Sequence, residues 1–552
     1  MVWNELTEGL AAAVTAAGLD RDTALARLEL AVPRDLAHGD WTTNLALGLA
    51  REAKRPPRAI AEALAQGFPR DVALFEAPEV AGPGFLNFRY SDAFVAALPA
   101  RIRGEDAAFG RSDAGHGVGV LVEYVSANPT GPLNVVSARA AAVGAALVRL
   151  LEATGHRAVG EFYVNDAGNQ VDLLGESVAA RFAARVGVDR PLPEDGYQGE
   201  YLKELAEGLP EAEGRAALAR PDGAAWFRDR ALDRMLAWQR KDLDDYGAEF
   251  ARWYRESSLH GSGAVSEALE ALRARGVVYE SEGAQWVRTT DFGDDKDRVV
   301  VKNTGTPTYL LPDIAYHRDK RARGFRHAID LWGPDHHGYI GRMQAALQGL
   351  GIEPDFLEVI IVQQVNLLSG GQPVKMSKRA GEFVTLRDLM DEVGADCAKF
   401  FFLMRATSSH LDFDMDLAKR QNDENPAFYV QYAHARISSI LRFAKERGLE
   451  PGAGPAPEAA EEIGLIRRLA TFPEVVRGAA QAREPHRVPA FLQEVAADFH
   501  RFYHVCRVVS DDAERSRARL EIADAARIVL RNGLALMGVS APDRMARAGE
   551  EA

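Results

Sequence analysis

Apolar residues run almost unbroken from Val118 to Val125, give way to a Pro-Gly loop, and then recur every three or four positions from Ala138 to Ala153. The unbroken run predicts a strand buried on both faces, as in a parallel sheet. The recurrence of Val143, Leu147 and Leu150 on one face predicts a helix, with Gly155 as its C-terminal stop. A second strand is expected over Val159 to Val164, and two more over Ala328 to Trp332 and Phe356 to Val362, the last leading into a loop that carries Lys375. Strands alternating with helices imply an α/β, doubly wound parallel sheet whose ligands bind beyond the carboxyl ends of the strands.

The pattern changes twice outside this core. Residues 1–103 mix helical stretches with a Gly82-Pro83-Gly84 turn and an alternation, Phe85, Asn87 and Arg89 against Leu86, Phe88 and Tyr90, that fits a short strand. A small α+β domain is expected there. Residues 104–413 form the parallel-sheet domain, interrupted by charged amphipathic helices over about 173–282. Residues 414–552 read as an all-helical domain, with the Pro- and Gly-rich stretch 450–457 as an internal loop.

Composition narrows the possibilities. A chain of 552 residues, 26% of them charged, is large enough for three or four domains with their own cores. The N-terminus lacks the basic flank of a signal peptide, and no apolar run approaches the ~20 residues that span a membrane, so a cytoplasmic protein is expected. Cys397 and Cys506 are far apart within helical patterns, which leaves no disulfide framework or zinc site. A net charge of -14 argues against a protein that coats nucleic acid through bulk electrostatics.

Several residues carry candidate chemistry. Lys375-Met376-Ser377-Lys378-Arg379 follows a Gly-rich turn, and two ammonium groups on flexible stems suit moving phosphates. Upstream, Ser137 either caps the helix that follows it or donates to a phosphate at the helix N-terminus, and Asn134 is either a turn residue or a second such donor. Glu123 ends a buried strand, so its carboxylate needs a cationic partner or a ligand. Asp313 follows Tyr309 by four residues, which places both on one helical face. Taken with Glu123, they would suit a guanidinium, whose N–H fork matches two carboxylates and an aromatic ring. Adjacent His336 and His337 point about 100° apart on a helix and cannot chelate one ion together, so no metal site is expected.

The lysine-bearing stretch resembles the KMSKS signature of class I aminoacyl-tRNA synthetases. Longer stretches are similar to the arginyl-tRNA synthetase family: Glu123 to Leu133, Tyr163 to Gln170, Thr308 to Tyr316, Trp332 to His337 and Tyr429 to Arg436. The resemblance implies a Rossmann-like catalytic domain, an N-terminal domain that contacts the tRNA elbow and a helical anticodon-binding domain. It implies arginine-tRNA ligation through an arginyl-adenylate, with activation dependent on bound tRNA, and as substrates L-arginine, tRNA(Arg) and ATP with Mg2+ carried by its phosphates.

By the same carry-over, Lys375, Lys378, Asn134 and Ser137 are catalytic, and Pro129, Thr130, Gly131, Met376 and Ser377 join them around ATP. Glu123, Asn128, Tyr309, Asp313, Asp335 and His336 are assigned to arginine, although Asn128 could be a plain loop residue and Asp335 and His336 could meet ribose. Tyr429, Gln431 and Arg436, with Phe85 and Asn87, are assigned to tRNA, since aromatics and Arg suit unstacked bases. The chain departs from the family at Asn134-Val135-Val136-Ser137, where His-x-Gly-His is usual. That departure motivates a rival reading, a catalytically inactive tRNA-binding relative; a class I synthetase for another amino acid is a third. A monomer without membrane contact is expected.

Overall fold

A computed structural model describes residues 2–33, 38–70, 74–374 and 384–546. Near the N-terminus, β1 (Trp41–Thr43), β2 (Glu79–Ala81) and β3 (Phe85–Phe88) form an antiparallel sheet with β3 central. Helices Val2–Ala16 and Pro57–Gly67 bury Leu6, Leu10, Ile60 and Leu64 in the core of this region.

The central sheet begins with β4 (Gly119–Glu123), β5 (Arg157–Val164) and β6 (Arg252–Arg255). An antiparallel trio follows, β7 (Val278–Ser281), β8 (Ala284–Val287) and β9 (Arg298–Val301). The chain then returns through β10 (His327–Trp332) and β11 (Leu357–Ile361), giving the parallel order β11-β10-β4-β5-β6. Successive strands step away from β4 on one side and return on the other, so the direction of winding reverses between β4 and β10. In open α/β sheets that reversal opens a crevice at the carboxyl edge.

Helix Val135–Ala153 crosses from β4 to β5 and buries Val143, Leu147 and Leu150. Gly144 lets it approach closely, because a Cβ there would stand 2.1 Å from Cγ of Tyr124. The helix starts three residues before the expected Ala138. Strand β4 stops at Glu123, short of the expected Val125, because Val125 and Ser126 adopt φ of 69° and 40°. A β-branched residue in the left-handed region costs on the order of 1–3 kcal/mol, and such strain concentrates at functional turns.

Two expectations need correction. The region read as helical over 173–282 is broken by a strand: helices Glu256–Ser262 and Ala264–Ala274 follow that strand, and before it Asn169–Arg185, Tyr201–Glu207, Glu211–Leu218 and Gly223–Tyr246 pack around Leu174, Phe182, Phe227 and Met235. The chain then rejoins the central sheet as β6, an edge strand whose Arg252 and Arg255 ends hide it in the hydrophobic pattern. Nor does β11 lead directly to Lys375. A separate small sheet intervenes, with β12 (Val365–Ser369) beside β13 (Gln372–Pro373) and parallel to β14 (Leu411–Asp414).

Beyond β14 lie helices Pro426–Glu446, Ala460–Ala470, Phe472–Ala482, Arg487–Val505 and Ala513–Leu536. The N-terminal region docks onto them. Arg103 donates to Asp524 at 2.9 Å and Glu521 at 3.2 Å, and the Arg477 guanidinium lies 3.7 Å from the Trp3 ring centre. Among the described residues, no helix is long and apolar enough to cross a membrane.

Candidate active site

At the carboxyl edge of β4, Glu123 does not stand free to receive a ligand. Its Oε2 lies 2.6 Å from Nζ of Lys320, and its Oε1 accepts the Ser126 hydroxyl at 2.9 Å. Lys320 is 0% exposed and also donates to both oxygens of Asp330 on β10, at 2.8 and 3.0 Å. His317 Nε2 completes the group, 2.8 Å from Asp330 Oδ2. Burial opposes the charge on Asp330, yet Lys320 and His317 hold its carboxyl down at about 2. Helix Leu310–Ala322 supplies both basic residues from one face, since His317 and Lys320 are three apart. The cationic partner that Glu123 requires is thus Lys320, and the salt-bridge alternative describes its contacts in this structure.

Tyr309 corrects the expected pocket further. It precedes the helix and is 88% exposed, so its ring does not pack into a buried pocket with Glu123 and Asp313. Asp313 does face inward, accepting the Tyr339 hydroxyl at 2.7 Å, and burial pushes its carboxyl above the usual range. Its acidic neighbour is Glu256, which sequence reasoning missed. Burial pushes the Glu256 carboxyl up to about 7, with the charges of Asp313 and Asp166 adding and the Tyr163 hydroxyl opposing. Asp166 is held by the Ser257 amide and hydroxyl, each at 2.8 Å. Neither Asp313 nor Glu256 has a Lys or Arg ion pair among the described residues; His260 Nε2 lies 3.8 Å from Glu256. Tyr163, Tyr254 and Tyr316 pack beside them, with ring centres 4.6 and 4.7 Å from Tyr316. The result is a partly aromatic pocket with unneutralised carboxylates, which favours a cation. Glu256 lies just past β6, so missing that strand also concealed this residue.

On the other side of the β4 loop, the capping residue is Asn134 rather than Ser137. Asn134 Oδ1 accepts the Val136 and Ser137 backbone N–H groups at 3.1 and 3.0 Å, and the Ser137 hydroxyl turns back onto it at 3.3 Å. The amide oxygen is spent on the cap, while its NH2 makes no hydrogen bond among the described residues. Lys375, Met376, Ser377 and Lys378 lie outside the described residues. The chain on either side is fixed: the Val374 amide donates to Leu367 at 2.8 Å, Thr385 bridges to Asn134, and the Leu386 amide donates to Leu133 at 2.8 Å.

The loop between these two sides is supported from below by the helical insertion. Gln239 Nε2 donates to the carbonyls of Asn128 at 3.2 Å and Gly131 at 2.9 Å, and the Tyr201 hydroxyl donates to Thr130 at 2.7 Å. Asn128 donates to Gln170 at 2.7 Å. Pro129, Thr130 and Gly131 therefore sit on a braced backbone. Asp335 and His336 occupy the short 3-10 turn Pro334–Tyr339 beyond β10, both exposed, with 3.5 Å between carboxylate and imidazole.

Comparison with known sequences assigns these regions. Residues 4–90 match the family described as "Arginyl tRNA synthetase N terminal domain", 105–401 "tRNA synthetases class I (R), catalytic domain" and 430–545 "DALR anticodon binding domain". The "Arginine--tRNA ligase" of Geobacillus kaustophilus is 48% identical over 548 residues, covering 98% of each chain. The chain belongs to the arginyl-tRNA synthetase family. The Bacillus subtilis member is 45% identical over 546 residues, again 98% of both chains. Two solved structures share the fold. The Thermus thermophilus arginyl-tRNA synthetase superposes with a TM-score of 0.77 at 23% identity, covering 99% of this chain and 100% of that one. The Plasmodium falciparum arginyl-tRNA synthetase gives 0.70 at 15%, with 94% and 95% covered.

Within this family member, most of the terminal residues expected at tRNA are engaged inside the protein. Asn87 is 6% exposed and accepts the Thr42 hydroxyl at 2.8 Å, so it is interior; Phe85 beside it remains exposed. Gln431 donates to the Ser540 carbonyl at 3.0 Å and Asp396 at 3.3 Å. The Arg436 guanidinium lies over the Tyr503 ring at 4.6 Å, and the Tyr429 ring is 5.1 Å from His500. All three are half-buried along helix Pro426–Glu446.

Proposed function

We propose that this chain activates L-arginine with ATP and transfers the arginyl group to the 3'-terminal ribose of tRNA(Arg), as a monomer in the cytoplasm. The observation that carries this reading is the pairing of Asp313 and Glu256, both half-buried and without a Lys or Arg partner among the described residues, beside a capped helix N-terminus across the β4 loop. One end suits a guanidinium and the other a triphosphate.

In the first step the arginine carboxylate attacks the α-phosphorus, forming a P–O bond as the bond to pyrophosphate breaks. In the second, a terminal ribose hydroxyl attacks the arginyl carbonyl carbon and AMP leaves. No protein nucleophile is required, so positioning and charge stabilisation carry most of the rate. Asp313 and Glu256 hold the guanidinium, and the exposed Tyr309 closes over it. Asn128 meets the α-amino or carboxylate group, and Asp335 and His336 reach the substrate from the β10 turn. ATP enters as its magnesium complex, the ion carried by phosphates and water as part of the substrate. It lies over Pro129, Thr130 and Gly131, with its phosphates at the Asn134 amide NH2 group and the backbone N–H groups of the helix. Lys375 and Lys378 steady the departing pyrophosphate. The helical C-terminal region binds the anticodon arm, and bound tRNA is required for activation.

An inactive tRNA-binding chain has no physical need for unneutralised carboxylates in this pocket, and nothing in the comparisons favours one. Aminoacylation with ATP, tRNA and each amino acid in turn tests the proposal. Charging with arginine alone is expected, and failure to charge any tRNA overturns it. Asp313→Asn should lower kcat/KM for arginine roughly a hundredfold, about 3 kcal/mol, as expected for losing one partner of a buried charge pair, while tRNA affinity is unchanged.

A further inference from the structure

Among the described residues, one buried cation lacks a counter-ion. Arg139 lies in the second turn of helix Val135–Ala153 and is 0% exposed, although arginine is almost never fully buried without an acidic partner. Its Nη1 donates to the Gln363 carbonyl at 2.8 Å and its Nη2 to the Ala406 carbonyl at 2.9 Å. Its Nε is buried with no hydrogen-bond partner. No carboxylate forms an ion pair with it among the described residues. Burial lowers its pKa to about 10, which leaves the guanidinium charged at neutral pH.

The position of this charge gives it a use. The helix rises about 1.5 Å per residue, so Arg139 stands only ~6 Å along the axis from the first residue, and helical side chains lean toward the N-terminus. Gln363 comes two residues after β11 ends, and its amide donates to the Thr407 carbonyl at 2.9 Å, next to Ala406. Both carbonyl partners therefore lie beyond the carboxyl end of the parallel sheet. They hold the guanidinium without neutralising it, whereas Lys320 is neutralised by Glu123 and Asp330.

We propose that Arg139 is a positioning residue of the nucleotide site: its uncompensated charge raises the potential at the helix N-terminus, where Asn134 and Ser137 offer donors that cannot become cationic. The inference rests on the reading that the triphosphate docks at this helix end. A fixed charge about one helical turn from that end, shielded from water by burial, acts on a polyanion far more than on a neutral nucleoside.

The test uses the full-length protein with bound tRNA and measures the affinities of inorganic tripolyphosphate, adenosine and arginine. Arg139→Gln keeps an amide donor for the carbonyls but removes the charge, Arg139→Met is a second uncharged variant, and Arg139→Lys keeps the charge. The uncharged variants should weaken tripolyphosphate binding about tenfold or more, leave adenosine and arginine within about twofold, and be rescued largely by lysine. A parallel fall in all three affinities, or a lysine variant as weak as the uncharged ones, overturns the proposal in favour of a purely structural strut. Asn134→Ala separates the two readings. If it weakens tripolyphosphate binding while Arg139→Gln does not, the triphosphate placement stands and the role of Arg139 falls. If neither substitution matters, the placement falls and the inference with it.

Discussion

Lys320 and Arg139 are both fully buried cations near the carboxyl edge of the central sheet, yet they are balanced in opposite ways. Lys320 touches two carboxylates, Glu123 and Asp330, whereas among the described residues Arg139 donates only to carbonyl oxygens. A buried cation surrounded by anions organises its neighbourhood and projects little field. One held by neutral dipoles remains visible to a ligand. The same contrast holds for the anions: Glu123 and Asp330 are spent, but Asp313 and Glu256 have no Lys or Arg partner among the described residues. The crevice is consequently polarised, negative toward Glu256 and positive toward the helix N-terminus. A guanidinium and a triphosphate drawn to opposite ends would bring the arginine carboxylate and the α-phosphate together between them.

Breaking the neutralised side should have the largest effect. Lys320→Met strands two buried carboxylates, so a loss of about 3–5 kcal/mol in unfolding free energy is expected from urea titration. A loss below 1 kcal/mol would mean that the Glu123 and Asp330 charges are not as isolated from water as their burial indicates.

Next comes the unneutralised side, through pH. The Glu256 carboxyl is raised to about 7, chiefly by burial, so the free protein favours its protonated form below that pH. A guanidinium binds the ionised form. The KM for arginine should therefore fall by up to about tenfold per unit as pH rises toward 7, then level off. Folding shows the opposite sign: the protonated carboxyl favours the folded state fully below its unfolded value near 4.5, and that contribution is lost as pH rises through 7. Glu256→Gln should abolish both dependences, and a KM profile unchanged by that substitution would remove Glu256 from the pocket.

The smallest effect belongs to the helix cap. Asn134→Ala removes the acceptor for two backbone N–H groups, which costs about 1 kcal/mol of stability, with a few-fold rise in the KM for ATP. Thermal unfolding and initial rates separate the two consequences. Full retention of ATP affinity would show that the Asn134 amide NH2 group does not meet the phosphates.

Much of this was legible because the pattern was strong. Strands β4, β5, β10 and β11 are apolar runs long enough to be read directly, and Glu123 at the end of one of them required a cation, which Lys320 supplies. Strand β6 was not legible, since Arg252-Trp253-Tyr254-Arg255 sits at a sheet edge with charged ends and only Tyr254 buried. Glu256 was lost with it. Ser137 reads as the helix cap or a phosphate donor and Asn134 as a turn residue or a donor, and only the hydrogen bonds show that Asn134 is the cap. Asn87 and Gln431 are assigned to tRNA by resemblance, which places a segment but does not say which way each side chain faces, and the fold turns both to internal partners.

The sequence by itself determined strands β4, β5, β10 and β11 with the helix between the first two, the three-region organisation and the resemblance to arginyl-tRNA synthetases, because hydrophobic period and contiguous motifs are local properties of the chain. The tertiary structure alone decided which charges cancel. Lys320 neutralises Glu123 and Asp330, while among the described residues Arg139 has no carboxylate partner and Glu256 no Lys or Arg partner, and such balances depend on distances of a few ångströms between residues far apart in the chain.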